Sequence, residues 1–271
     1  SDSNWGFLWQ PKLTLRALLE TFDLEPTDEV YIDTGIYRIS DTNNVIIWEA
    51  SDGGLPGQPV LVRGSTHPSG TVFLVTNKIE GGCFNMEATD VDVRHLRFVG
   101  DSVTFQGSRQ AVSNLWLTNG TLSVVSQDST FDQIRIDHGG LSLAGLSVRL
   151  DGLLQRGGEA TINGTNMTLL HAVVYTTNAS TTGLVVNAVN GVISNCTIVS
   201  AQGTAISKKG FGTVRIGNNI LVAGGDDTHY VINWEDGGLV SDWNDLLTLG
   251  SAWLVLVVVV MSRTRLLVVR D

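Results

Sequence analysis

A short apolar pattern returns along this chain at a nearly fixed interval, and that interval limits the fold more than any other feature. An apolar residue, an outward residue and a second apolar residue recur at Leu96/Phe98, Leu115/Leu117, Ile134/Ile136, Val173/Tyr175, Cys196/Ile198 and Ile220/Val222. The first three anchors recur at a step of 19, and the last two steps are 23 and 24. A degenerate copy near Leu153 fills the gap, with Gln155 where its second apolar residue belongs. A period of about 20–25 residues with one short strand per unit marks a solenoid whose coils stack only on their neighbours. The expectation is one elongated all-β domain.

Composition agrees with that reading. Apolar residues make up 42% of 271 residues, enough for a continuous core, and Gly is frequent at 30 while Pro is scarce at 5. Glycine suits tight corners of positive φ, and few prolines suit strands whose amides all serve in ladders. A net charge of −10 argues against nucleic acid as a partner, because neutralising phosphates needs clustered Lys and Arg. Cys196 holds an inward position and, like Cys83, lacks any metal-binding spacing, so a small buried side chain is expected. The run from Trp253 to Met261 is about half of what a membrane span needs. The acidic charge is compatible with a secreted or cell-surface protein, and Ser1 reads as the start of a mature or trimmed chain.

Residues 13–24 read as an amphipathic helix, with Leu15, Leu18, Leu19 and Phe22 on one face and Thr14 as N-cap. Such a helix would cover the open end of a solenoid, where core and strand edges are otherwise bare. Strands follow at Val30–Ile32, from Ile36 after a corner at Gly35, at Val60–Arg63 and at Val72–Val75. Corners are expected at Gly100–Asp101, Asn119–Gly120, His138–Gly139–Gly140, Gly157–Gly158, Gly203 and Gly224–Gly225. Asn114, Asn195 and Asn219 precede three anchors and are read as a ladder of amides bonded from coil to coil. The domain is placed at 1–250. The Val-rich tail, 251–271, with Arg263, Arg265 and Arg270, departs from the pattern and is expected to make the chain a homo-oligomer.

Four segments carry a family likeness. DEVYIDTGIYRI (28–39) resembles the first coil of right-handed parallel β-helix proteins of the pectate-lyase-like superfamily. NCTIVSAQGTAI (195–206) and NNILVAGG (218–225) resemble their later coils, and SDWNDLL (241–247) a last coil found in secreted bacterial repeat proteins of this type. The likeness covers roughly residues 14–250. It implies a right-handed, single-stranded parallel β-helix with an N-terminal cap helix. It leaves activity open, since lyases, hydrolases, esterases, phage tailspikes and non-catalytic adhesins share the fold.

Chemistry on stacked coils should appear as columns about 4.8 Å apart per rung. One outward column holds Arg97, Trp116 and Arg135 and could grip an acidic sugar, with the indole as platform. A second holds Arg94, Ser113, Asp132, Asp151 and His171, where paired carboxylates beside a histidine could bind Ca²⁺ or serve as acid and base. No cofactor is expected for a binding module. A lyase of this family would use Ca²⁺, for which Asp90 and Asp92 beside Arg94 are the candidates. The hydrolase motifs of the superfamily find only fragments: Asp226–Asp227, His138–Gly139–Gly140 and Arg215–Ile216–Gly217. Triplets at Asn119, Asn163, Asn166, Asn178 and Asn195 fit N-glycosylation but also arise by chance in such a composition. Coils this short leave little chain for the loops that wall a catalytic cleft. The functional expectation is therefore a non-catalytic, polysaccharide-binding scaffold or adhesin. A lyase or glycoside hydrolase acting on an acidic polysaccharide is the alternative, and a tailspike-like module a third.

Overall fold

The computed structural model describes residues 3, 12–40, 45–178, 181–225, 229–250 and 265–268. Parallel hydrogen-bonded ladders make up the architecture. Leu96 pairs with Leu115 and Leu115 with Ile134, so successive anchors lie directly on one another. The outward position after each anchor continues without a break through Arg97, Trp116, Arg135, Leu154, Val173, Thr197, Ile220 and Asp245. Among the described residues the strands form one 18-stranded sheet and one nine-stranded sheet. Same-direction strands joined by crossovers wind right-handed. The result is a right-handed parallel β-helix with almost no helical content.

The 18-stranded sheet is folded along its length. The strands Val91–Val99, Ala111–Thr118 and Thr130–Asp137 bend at His95, Asn114 and Gln133, whose φ values are 59, 54 and 53°. Gly152, His171, Asn195, Asn218 and Trp243 repeat that left-handed bend on later coils. The coil thus has three faces: two meet at this bend, and the nine-stranded sheet closes the third.

The residue following each bend points inward. Leu96, Leu115, Ile134, Leu153, Ala172, Cys196, Asn219 and Asn244 are all 2% exposed or less. The steps from Leu96 through Leu115, Ile134 and Leu153 to Ala172 are all equal. The anchors Val173/Tyr175 and Ile220/Val222 expected from the pattern are therefore out of register by a single position. Val173 and Tyr175 are each 42% exposed and Ile220 44%. The inward residues are Ala172/Val174 and Asn219/Leu221. Gln155, which breaks the apolar pattern, is nonetheless fully buried. Its Nε2 donates to the carbonyls of Gly139 and Gly157, while its Oε1 is buried without a hydrogen-bond partner among the described residues.

The amide ladder also differs from expectation. Asn114 and Asn195 sit at the left-handed bend, with φ of 54 and 57°, a conformation Asn tolerates better than most residues. Asn219 alone of the three is inward, and its ladder partner is Asn244.

Aromatic rings fill the N-terminal half of the core. Phe73 stacks on Phe98 at 5.1 Å between centroids. Phe84 meets Phe98 edge-on at 5.1 Å, and Phe105 meets Phe131 edge-on at 5.5 Å. At one corner the coils approach too closely for any side chain: a Cβ on Gly139 would lie 1.8 Å from the carbonyl oxygen of Gly120.

The cap helix is shorter than expected, Leu15–Leu19. Thr14 caps it by accepting from the amide of Ala17 at 3.2 Å. It ends where Thr21 turns its hydroxyl back to the carbonyl of Ala17 and the chain leaves the helical path. Leu15 is buried, Leu18 and Leu19 pack against the core, and Phe22 stays 37% exposed. At the other end, Arg265–Val268 pairs in parallel with Asp245–Thr248 and extends the ladder by one more rung. Trp253–Met261, Arg263, Arg270, Asp226 and Asp227 lie outside the described residues. Cys83 and Cys196 are free and buried, and burial pushes the thiols up to about 12 and about 11. Among the described residues no helix is long and apolar enough to cross a membrane.

Candidate functional site

The candidate residues lie on the two outward faces that flank the bend. Register places Arg97, Trp116 and Arg135 on consecutive rungs. Their side chains form a sandwich: the guanidinium carbon of Arg97 is 3.9 Å from the indole centroid and that of Arg135 is 4.2 Å from it. Both ring faces are thus covered by the arginines, so the indole holds cations in place and leaves only its edge to a ligand. Its edge N–H donates to Asp137 Oδ2 at 2.9 Å, and Arg135 Nε donates to the same oxygen at 2.7 Å. The two arginines differ. Arg135 is neutralised by Asp137, whereas among the described residues Arg97 makes no ion pair and its Nε is buried without a hydrogen-bond partner. Val72 and Leu154 close the column on either side.

On the other side of the bend, register aligns Arg63, Arg94, Ser113, Asp132 and Asp151. The next rung is Leu170, not His171. His171 lies at the bend itself, because a left-handed residue sits between the two outward columns. It still reaches the expected partner: His171 Nδ1 is 2.7 Å from Asp151 Oδ1. Arg149 donates to the other oxygen of Asp151 at 2.6 Å. Contact with His171 foremost, and with Arg149, holds the Asp151 carboxyl below the usual carboxylate range against the opposing effect of burial. Arg94 is locked to Asp92 through two hydrogen bonds, the Nε one at 2.8 Å, and this contact raises the arginine. A shallow depression of about 330 Å³ over this region is lined by Asp92, Arg94, His95, Ser113, Asn114 and Asp132.

The two metal candidates do not fit Ca²⁺. Asp90 accepts from both Nε and Nη2 of Arg109, at 2.9 and 2.6 Å, and Asp92 is occupied by Arg94. The two carboxylates therefore meet two different arginines and share no site. Among the described residues no three His, Cys, Asp or Glu side chains gather as a metal would require.

Pattern reading missed Asp137 and Arg149. Each shares a strand with its partner, Arg135-x-Asp137 and Arg149-x-Asp151, and positions i and i+2 of a strand share a face. Opposite charges at that spacing were the available signal.

No protein family matches the chain, and no curated protein does either. Solved structures do. A rhamnogalacturonan lyase aligns over 92% of this chain and 80% of its own, with 12% identity and a TM-score of 0.69. A pectate lyase, Pel9A, aligns over 93% of this chain and 74% of its own, with 13% identity and a TM-score of 0.53. The fold that the chain shares with these structures is the parallel β-helix. At these identities the similarity establishes the coil architecture and no more.

Proposed function

We propose that this chain is a non-catalytic, polysaccharide-binding β-helix module of a secreted or cell-surface protein. The solved structures with the same fold are named for action on rhamnogalacturonan and pectate. Support on this chain comes from one observation above all. Arg97 is clamped on Trp116, carries its charge unneutralised by any described carboxylate, and faces outward beside a column of stacked rungs. A fixed guanidinium of this kind suits the carboxylate of a uronic-acid unit. The neighbouring Arg94 and Arg149 are each paired with an aspartate, and Arg135 is paired with Asp137 through its Nε. That arrangement favours a rigid docking surface over converging acid–base groups. Module and ligand need no cofactor. Self-association, expected through 251–271, belongs to the same reading.

A second reading, a lyase or hydrolase of acidic polysaccharide, is favoured by the Asp151–His171 contact next to Asp132 on the adjacent rung. One experiment separates the two. The protein is incubated with a panel of uronic-acid polymers with and without Ca²⁺. Binding is followed by calorimetry, unsaturated ends by ultraviolet absorbance, and hydrolysis by reducing ends. The expected result is binding without product, weakened roughly tenfold by Arg97→Ala, the scale of one charge-assisted contact. Product lost on Asp132→Ala or Asp151→Asn would establish the enzyme instead.

A further inference from the structure

Beyond Arg135, the outward face that carries the Arg97 column changes character. Arg135 is followed on successive rungs by Leu154, Val173, Thr197 and Ile220, and then by Asp245. Two positions along each strand a parallel row runs Arg156, Tyr175, Val199, Val222 and Leu247. Val173, Tyr175 and Ile220 are 42, 42 and 44% exposed. A largely apolar outward ladder surface, with Arg135 at one end and Asp245 at the other, is a candidate interaction surface.

The order of residues selects the partner. A two-fold axis midway between the rungs of Val173 and Thr197 sets Val173 of one copy against Thr197 of the other. The same axis sets Leu154 against Ile220 and Arg135 against Asp245. In the column from Arg135 to Asp245 the axis thus sets cation on anion at the two ends, Leu154 on Ile220 inside them and Val173 on the smaller Thr197 at the centre, while the neighbouring row sets Tyr175 on Val199 and Arg156 on Val222. Arg135 spends Nε on Asp137 and retains two terminal nitrogens for a second carboxylate. Asp245 is exposed.

We infer that this face pairs antiparallel with the same face of a second copy of the chain. Six rungs span about 24 Å, a small interface by the standards of stable complexes. Pairing is therefore weak, with a dissociation constant on the order of tens of micromolar and salt-sensitive ends. The self-association expected of the chain is thereby assigned to described sheet residues and not to the tail alone. Arg97 lies two rungs outside the face, so loss of pairing and loss of glycan binding are read separately.

The test is sedimentation of the full chain over a concentration series that rises well above that constant. Wild type should approach the mass of a dimer. Leu154→Glu and Ile220→Lys, both outward substitutions, should each be monomeric. Mixed together, the two variants should form a heterodimer, because the carboxylate introduced in one then faces the ammonium introduced in the other, while unaltered Leu154 meets unaltered Ile220 across the axis. Recovery on mixing also shows that both variants are folded. A monomeric wild type, single variants that still dimerise, or a mixture that stays monomeric would each overturn the inference.

Discussion

Asn219 donates its side-chain amide to Oδ1 of Asn244, 2.9 Å away, from one coil to the next inside the solenoid. The same Asn219 accepts from the backbone amide of Cys196 at 2.8 Å and donates to the carbonyl of Ile193 at 3.0 Å. Asn244 repeats the pattern, accepting from the amide of Asn219 and donating to the carbonyl of Ile216 at 3.2 Å. The bend after Ser194 and after Gly217 turns backbone groups into the core, where water is excluded. The inward amides satisfy them. The aromatic core of the N-terminal coils thus gives way to a polar ladder near the other end.

Replacing Asn219 by Ala should cost more than its small volume suggests. It strands the Cys196 amide and the Ile193 carbonyl, at about 1–3 kcal/mol for each buried group left unpaired. Urea unfolding of Asn219→Ala should show a loss of that order. A change within about 0.5 kcal/mol, the scale of an ordinary surface substitution, would mean that the ladder is dispensable.

Gly139 offers a different kind of test. Its corner admits no Cβ, since the atom would overlap the carbonyl oxygen of Gly120. Gly139→Ala should force the two coils apart and lower the melting temperature by many degrees, whereas Gly57→Ala, where a Cβ meets nothing within 4 Å but φ is +81°, should cost about 1 kcal/mol. Equal effects at both sites would contradict the close stacking.

The Asp151 carboxyl makes acid stability a readout of its contacts. A group held below its usual range in the folded chain favours folding above the unfolded pKa, about 3.9. That contribution fades as pH falls through the lower, folded value. The loss on acidification through that range should therefore be smaller in Asp151→Asn than in wild type. Partial exposure of the pair keeps the difference modest. Parallel stability curves for the two proteins would show that the contacts with His171 and Arg149 carry no weight.

Much of the fold was legible in the sequence, and the point where legibility failed has a physical cause. From Leu96 to Ile136 an apolar inward face alternates with Arg, Trp and Asp outward, so only one register is possible. From Leu153 onward the outward side is itself apolar. Val173, Val174 and Tyr175 read equally well in either register, and the choice of Val173 put the repeat one position late. Inward Gln155, Asn219 and Asn244 compound the ambiguity, because a polar side chain in an otherwise apolar column looks like a break. The candidate site was legible as columns. The pairings within it were not, because Asp137 and Arg149 act along a strand and the columns run from coil to coil. The left-handed residue at each bend also moves His171 out of the column that its spacing suggests.

The central claim, that equivalent positions of successive coils lie face to face, is tested most directly by an engineered cross-link away from the proposed binding face. Ser123 and Ser142 are register partners on the nine-stranded sheet, and neighbouring rungs about 4.8 Å apart lie within disulfide reach. In Ser123→Cys/Ser142→Cys, mild oxidation should link the two cysteines, as read by peptide mass mapping. Ser123→Cys/Ala144→Cys, shifted by two positions along the strand, should stay reduced under the same conditions. Linkage in the shifted pair and none in the register pair would contradict the stacked coil.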